Sequence, residues 1–508
     1  MFALHSQVQE GHKTMGYSDF RDWLEQVDRL GEVMRLNGAD WNLEIGGLCE
    51  IIIRESKNNA PLLLFDEIQG YPKGVRALFG MLSSVKRLAL TVGLPLDYAG
   101  MMDFVRAVHQ KLKNLEPIPP VAVNTGPASQ NIMEGDAVDL YRFPMPFHHE
   151  LDRGRYFGTA HVVLTQHPDE GWYNLGTYRC MAHDRNTLGL HISTGKHGRI
   201  HRDIYFERGK PMKVVVAAGV DPALYLASSI EIPWGVSEYD YAGGLKGEPI
   251  QVMRGPFTGF PVPATAEIVA EGECYPGELK DEGPFGEWAG YYANRGLEQV
   301  PEPVIHVKRI MYRTDPILTC AQPSRPPHEY TFPRCIIRSG LVWNELEKAG
   351  VPDIKGVWCH AAGGSRLFTI VSIKQRYPGH ARQVGILASQ VHSAAYVGRY
   401  VVVVDEDIDP SNTDDFLWAV ATRSEPERSI EILRRSWSSS ADPALPVEQK
   451  LFNSRCIIDA CKPYEWKDKF YPVAEASPEL RAKLLKKWGE YIQPNRPQPP
   501  REPGWQGA

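Results

Sequence analysis

A proline-rich segment, Asn114-Leu-Glu-Pro-Ile-Pro-Pro120, divides this 508-residue chain into stretches of different hydrophobic period. Proline fixes φ and offers no backbone N–H, so such a run sits between elements and not inside one. Upstream, Phe20, Trp23, Leu24, Val27 and Leu30 fall on one helical face. Pro61-Leu-Leu-Leu-Phe65 reads as a short strand, and helical patterns occupy 84–94 and 98–112. These predict a small N-terminal α/β unit over 1–125. From 126 to 330 strand-like runs recur at Gly158–Gln166, Met212–Val220, Thr265–Glu271 and Val304–Tyr312, separated by Gly/Pro/Asp turns. That spacing predicts a mainly β, barrel-like domain. A helical pattern near 340–349, within a linker at 331–350, leads to a last third over 351–492. There the predicted order is strand (Leu367–Ile373), helix (Ala381–Val397), strand (Tyr400–Asp405), helix (Asp414–Arg423), the alternation of an α/β layer. A final helix is expected near 478–492, and the proline-rich tail 493–508 is assigned no element.

Composition narrows the class of protein. Apolar residues make up 43% and charged residues 23%, ordinary for a globular chain. The net charge of −6 and the lack of a long Lys/Arg run argue against nucleic acid, so an acidic substrate must be met by local positive charge. No window offers the roughly 20 apolar residues a membrane helix needs. The first residues lack the basic and apolar regions of a signal peptide. Eight scattered cysteines without a Cys-x-x-Cys pair predict reduced thiols and a cytoplasmic setting.

The chemistry-bearing residues concentrate in the middle stretch. Glu282-Gly-Pro-Phe-Gly-Glu287 places two carboxylates five residues apart across what reads as a turn that neither helix nor strand carries. Two acids so placed can occupy different environments, one ionised while the other handles a proton. Upstream, Trp172-Tyr-Asn-Leu-Gly-Thr-Tyr-Arg179 supplies the Asn174 amide and the Arg179 guanidinium. Lys196-His197, Ala227-Ser-Ser-Ile230 and Glu238 follow. Asn174, His197 and Glu238 make a mixed O/N set suited to Mn²⁺, Mg²⁺ or Fe²⁺, although their separation in sequence leaves open whether they converge.

In order and spacing, Asn174, Arg179, His197, Ser228-Ser229, Glu238 and Glu282-Gly-Pro-Phe-Gly-Glu287 resemble the UbiD family of prenylated-FMN-dependent reversible decarboxylases. The resemblance runs from about Tyr17 to about 490 and includes Val401-Val-Val-Val-Asp-Glu-Asp-Ile-Asp409 and Trp418-Ala-Val-Ala-Thr-Arg423. It implies an α/β (α+β) fold with an N-terminal α/β unit, a central split β-barrel flavin-binding domain and a C-terminal α/β domain for substrate closure and oligomerisation. It further implies that Asn174, His197 and Glu238 hold a divalent cation, Mn²⁺ or else Fe²⁺ or Mg²⁺, that also binds the cofactor phosphate. Trp172, Ala227, Ser228, Ile230 and Glu238 would surround K⁺. Thr177, Tyr178, Arg179, Lys196, Ser228 and Ser229 would contact the cofactor, and Arg179, Glu282 and Glu287 would form the catalytic network. In that network Glu282 is the expected ionised partner of Arg179, and Glu287 the proton donor to the carbon that loses CO₂.

The family further implies a carboxylic acid substrate that is aromatic, heteroaromatic or α,β-unsaturated, a flavin prenyltransferase that supplies the cofactor, and a homodimer or homohexamer. His328 stands where some relatives meet a ring substituent, with a structural loop histidine as the competing reading. Lys374 is either a residue reaching the site or a solvated lysine. His148-His149-Glu150 looks like a metal sequence but follows Pro144-Met-Pro146, and Asp405–Asp409 lacks the Gly and terminal Glu of a calcium loop. One departure concerns residues 391–399, Val-His-Ser-Ala-Ala-Tyr-Val-Gly-Arg, where some relatives present a lysine to the flavin. The competing functions are decarboxylation of a carboxylated aryl-CoA thioester and, from another class, a non-catalytic subunit of a carboxylase complex. Loss of Arg179, Glu282 or Glu287 would favour the latter, and all three are present.

Overall fold

The computed structural model describes residues 16–56, 59–232, 234–293, 296–449 and 451–492; the expected tail 493–508 lies outside them. The chain divides into two compact units after Cys461. The second contains a short 3-10 segment, Tyr464–Lys469, and the helix Pro478–Ile492.

In the first unit the N-terminal helix Phe20–Arg29 buries Phe20, Trp23 and Val27 on the expected face, and Asp19 caps it by accepting from the Asp22 N–H. The strand Leu62–Asp66 lies in a four-stranded sheet with Val33–Asn37 and Arg76–Phe79. The fourth strand, Ile317–Thr319, arrives from far along the chain and pairs in parallel with Arg76–Phe79. The first sheet is therefore completed by a segment that the sequence reading assigned to the middle domain. The helix Met101–Lys113 precedes the proline-rich boundary and packs against Thr331–Lys348, a long helix buried on most sides.

The middle of the chain forms a nine-stranded sheet that curls without closing, an open half-barrel. At its centre Met212–Ala218 pairs antiparallel with both His161–Gln166 and the 15-residue strand Ile268–Glu282. This last strand corrects two expectations. The run read as Thr265–Glu271 continues for eleven residues more, and Glu282 is its final residue, carried by regular structure and not by the turn alone. The continuation was hidden because the pairing with Val300–Tyr312 shifts register at Glu271/Gly272 and again between Cys274 and Leu279. Such bulges break the period-two pattern and re-aim the strand end. Gly272 sits where a Cβ would come within 2.4 Å of the His306 carbonyl oxygen, so only glycine fits that crossing.

The last third is a five-stranded mixed sheet. Phe368–Ile373, Tyr400–Asp405 and Phe452–Ala460 run parallel at its centre, with Ile354–Cys359 and Ile430–Trp437 antiparallel at the edges. The continuous valines of Val401–Val404 are all buried, as expected for a strand covered on both faces. The helix expected over Ala381–Val397 is two, His380–Ala388 and His392–Ala395. Val397, at φ +61°, leaves the helical region altogether.

Gly385 faces the sheet so closely that an ideal Cβ would lie 2.2 Å from Ile457 Cγ2 and 3.3 Å from Val403 Cγ2. Alanine or valine gains up to about 1 kcal/mol of helix propensity over glycine. Overpacking costs about 1–3 kcal/mol and outweighs it for the larger side chain. Gly385→Val is therefore expected to lower the thermal unfolding midpoint; an unchanged or raised midpoint would show that the helix can shift away from the sheet freely.

Candidate active site

Where the half-barrel meets the linker helix and the C-terminal sheet, a cavity of about 270 Å³ opens. Its walls include Asn174, Thr177, Tyr178, Arg179, Lys196, His197, Ser228, Ser229, Ile230, Glu238 and Glu287. Residues spread over more than 100 positions of sequence are thus gathered around one space.

Arg179 is the junction of one wall. Its Nε and Nη2 donate to Glu282 Oε1 and Oε2 at 2.8 and 3.2 Å, and its Nη1 donates to Glu287 Oε1 at 3.0 Å. Glu282 is 1% exposed and stands behind the guanidinium, outside the cavity lining, so it acts through Arg179; Glu287 faces the cavity. Burial pushes the Glu282 carboxyl up, but Arg179 and then His191 outweigh it and hold the group below its usual range. His191, which also lines the cavity, places Nδ1 2.7 Å from Glu302 Oε1 and 4.0 Å from Glu282 Oε2. Among the described residues His191, Glu282 and Glu302 form the one group of His, Cys, Asp and Glu side chains close enough to hold a metal. Arg179 and the His191 ring already meet those carboxylates. Gly283, at φ +77°, ends the strand, and the Glu287 N–H bonds to the Tyr291 carbonyl, which fixes the turn that presents Glu287.

The opposite end has a different charge balance. Glu238 is 3% exposed and has no cationic partner among the described residues. It accepts from Asn174 Nδ2 at 2.7 Å and from the Leu175 N–H at 2.8 Å, and burial pushes its carboxyl up to about 8. Tyr178 donates to Asn174 Oδ1 at 2.9 Å. His197 stands beside Trp172 and Trp234, edge-on at 5.5 and 5.1 Å, and burial lowers its pKa, favouring the neutral imidazole. The buried Ser228 Oγ has no hydrogen-bond partner among the described residues. A buried unpaired carboxylate with a neutral imidazole and an amide lining the same cavity is a donor set that fits a hard or borderline cation.

Other expected residues fall elsewhere. Ala227 is buried in the last turn of the helix Pro222–Ser228, and the Trp172 carbonyl accepts from the His167 N–H; neither lines the cavity. His328 also lies behind the wall: its Nε2 is 2.9 Å from the Trp288 carbonyl oxygen and its ring meets Tyr330 edge-on. Of the two readings of Lys374, the structure shows the solvated one: it pairs with Glu406 at 3.4 Å, nearly half exposed, and does not line the cavity. Sequence reasoning missed Glu231. This carboxylate lines the cavity and joins Lys196 at 3.1 Å, Arg338 of the linker helix at 3.1 Å and Arg366 at 2.6 Å. Burial opposes its ionisation, but Arg366, Lys196 and Arg338 hold it well below the ordinary range. Partners so far apart in sequence leave no spacing signal.

A donor set that fits a cation and an acid–arginine–acid wall share one cavity in a half-barrel, the layout of an enzyme active site. The comparisons name its family. The central domain of 3-octaprenyl-4-hydroxybenzoate carboxy-lyase (UbiD), described as Rift-related, matches residues 120–326, with that enzyme's N-terminal domain over 24–101 and C-terminal domain over 332–460. Pyrrole-2-carboxylic acid decarboxylase of Pseudomonas aeruginosa is 33% identical over 503 residues, covering 93% of this chain and 98% of that one. The UbiD-class enzyme HmfF of Pelotomaculum thermopropionicum, in complex with FMN, superposes with a TM-score of 0.80 at 27% identity, covering 93% of this chain and 100% of that one. An evolved dimeric form of the same enzyme, in complex with prFMN, gives 0.77 at 26% identity over 92% and 99%. The chain belongs to the UbiD family of carboxy-lyases. No helix among the described residues is long and apolar enough to cross a membrane.

The Arg179–Glu282 pair carries a pH signature. Because the Glu282 carboxyl is depressed on folding, its contribution to stability is present above the ordinary carboxylate range, near 4.5. That contribution is lost as pH falls through the lower folded value. Glu282→Gln leaves Arg179 half-paired in a buried site, a loss of about 3 kcal/mol at neutral pH. Thermal melts of wild type and variant are expected to differ at pH 7 and to draw together as pH falls below the ordinary carboxylate range toward the lower folded value; a gap of constant size across that fall would contradict the ion-pair account.

Proposed function

We propose that this enzyme catalyses non-oxidative, reversible decarboxylation of an aromatic, heteroaromatic or α,β-unsaturated carboxylic acid with prenylated FMN. The observation that carries the reading is Arg179 held between two carboxylates, one buried behind it and one facing the cavity. The relatives supply the chemical class: one is a pyrrole-2-carboxylic acid decarboxylase, and the HmfF structures contain FMN or prFMN.

Prenylated FMN, when bound, supplies an electron sink for the carbon that loses CO₂. This chain's own residues do the rest. Asn174, His197 and Glu238 would hold Mn²⁺, Fe²⁺ or Mg²⁺, which would supply positive charge for the cofactor phosphate at the cavity end where, among the described residues, no lysine or arginine pairs with Glu238. Trp172, Ala227, Ser228 and Ile230, with Glu238, are the residues that would hold K⁺. Thr177, Tyr178, Lys196 and Ser229 line the space the flavin takes. Arg179 orients the substrate carboxylate, and Glu282 fixes Arg179 in place and in charge. Decarboxylation converts RCOO⁻ and H⁺ into RH and CO₂. Glu287 delivers that proton to the vacated carbon and is reprotonated from solvent in each turnover. A flavin prenyltransferase supplies the cofactor, and the enzyme acts as a cytoplasmic homodimer or homohexamer whose C-terminal domain closes over the substrate.

Two substitutions separate these roles. Glu287→Gln is expected to abolish turnover, at least a hundredfold by the usual weight of a positioned acid, while the flavin absorbance of the purified protein persists; retained activity would remove Glu287 as the donor. His197→Ala is expected to lose divalent metal and flavin together, measured by elemental analysis and absorbance. An unchanged flavin spectrum in a metal-free variant would refute the shared site.

A further inference from the structure

The wall around Arg179 carries a third acid. Glu282 ends the strand Ile268–Glu282, and the partner strand Val300–Tyr312 sets Val300 opposite Glu282 and Glu302 opposite Lys280. Glu302 is thus the diagonal neighbour of Glu282 on the same face of the pair, a spacing that long side chains bridge. Lys280 is committed elsewhere, its Nζ 2.8 Å from Asp184. Among the described residues the ion-pair partner of Glu302 is the His191 ring, and the two side chains are only 12% and 17% exposed. One oxygen of Glu282, one of Glu302 and a nitrogen of His191 all lie within 4.8 Å of one another. Two carboxylates at that separation, largely out of water, repel each other.

His191 stands where the two acids approach, and it is fixed from several sides. Its backbone N–H donates to the Arg179 carbonyl at 3.2 Å, and the Leu190 N–H donates to the Pro303 carbonyl at 2.8 Å. The loop is therefore tied both to Arg179 and to the residue beside Glu302. In the side chain, Nδ1 is 2.7 Å from Glu302 Oε1; an ionised carboxylate only accepts, so Nδ1 carries the hydrogen. The same nitrogen is 4.0 Å from Glu282 Oε2, the oxygen that accepts the longer of the two Arg179 bonds, at 3.2 Å. Its field adds to that of Arg179 in keeping Glu282 ionised. Without the ring, Glu282 Oε2 would face Glu302 directly, and turning away from Glu302 would break the second bond to Arg179.

We propose that His191 is a positioning residue: anchored on Glu302, its ring shields Glu282 from that second carboxylate, so that both Glu282 oxygens stay on Arg179 and Nη1 stays aimed at Glu287. The inference rests on the decarboxylase reading, in which Arg179 orients the substrate carboxylate. His191 acts there at one remove, through the grip of Glu282 on the guanidinium.

Crystal structures of flavin-loaded variants test this without turnover. His191→Phe keeps a flat ring but has no N–H, whereas His191→Asn carries an amide N–H near the Nδ1 position. His191→Phe combined with Glu302→Gln removes the shield and the repulsion together. His191→Phe is expected to lose at least one of the two Arg179–Glu282 bonds. Its kcat should fall about tenfold or more, the scale of a misplaced orienting group, with the flavin content unchanged. His191→Asn should keep both bonds, and the double variant should regain them together with most of kcat. An intact bidentate pair in His191→Phe would overturn the inference. So would a pair still broken in the double variant, because a ring that merely braced its loop could not be replaced by a neutral residue 302. Were His191→Phe not to fold, the double variant decides: an intact pair supports the shield, and a broken pair or failure to fold overturns it. Absence of CO₂ release by wild type from every acid in a panel of aromatic, heteroaromatic and unsaturated acids would strike the parent reading alone, since the bond geometry is read without turnover.

Discussion

The buried ion pair between Arg179 and Glu282 is the constraint around which the site is arranged. A guanidinium removed from water is costly unless its donors are met, and here a bidentate carboxylate at the end of a 15-residue strand meets them. Once Glu282 has fixed its orientation, the remaining Nη1 can reach only Glu287, across a turn that begins at Gly283. Strand length, the two register shifts and the glycine that ends the strand therefore serve one outcome: two acids of unlike surroundings on one arginine. The buried acid is held ionised by Arg179, whereas the other lines the cavity.

The rest of the cavity follows a pattern of uneven charge. Among the described residues, Glu238 at one end has no cationic partner and Arg334 has no carboxylate partner, while between them Glu231 gathers Lys196, Arg338 and Arg366. Isolated charges in low dielectric are expensive, and a folded chain retains them where a ligand completes the pair. The buried Glu238 carboxyl, with a neutral imidazole and an amide on the same cavity, suits a cation. The satisfied Glu231 hub instead ties the linker helix and Arg366 to the residues flanking Lys196. The cavity's chemistry thus reads from which charges the protein leaves unmatched.

Much of this was legible in the sequence, for identifiable reasons. The period-two runs, the proline-rich boundary and the Val401–Val404 strand carry strong local signals, and the mixed α/β architecture and family membership follow from them and from the ordered motif residues. The strand Ile268–Glu282 was cut short because a bulge interrupts its alternation, and the helix read over Ala381–Val397 splits at a backbone position that periodicity does not register. In the site, Asn174, Arg179, His197, Glu238 and Glu287 were found as a constellation, and the structure gathers them round one cavity. Glu231, His191, Glu302 and Arg334 were not found, because their meaning lies in partners more than 30 residues away or in having none. Lys374 stayed open between two readings because a lysine on a loop looks the same whether it faces a cavity or, as here, Glu406 and solvent.

The central claim is that Glu287, the cavity-facing acid on Arg179, delivers a proton to the carbon that CO₂ leaves. Incubating cofactor-loaded enzyme with a panel of aromatic, heteroaromatic and unsaturated acids in D₂O, followed by mass spectrometry and NMR, tests it directly. The account predicts one deuterium in each product, at the position that bore the carboxylate and nowhere else. Product formed with no deuterium at that carbon, or no release of CO₂ from any of the acids by flavin-loaded protein, would contradict it.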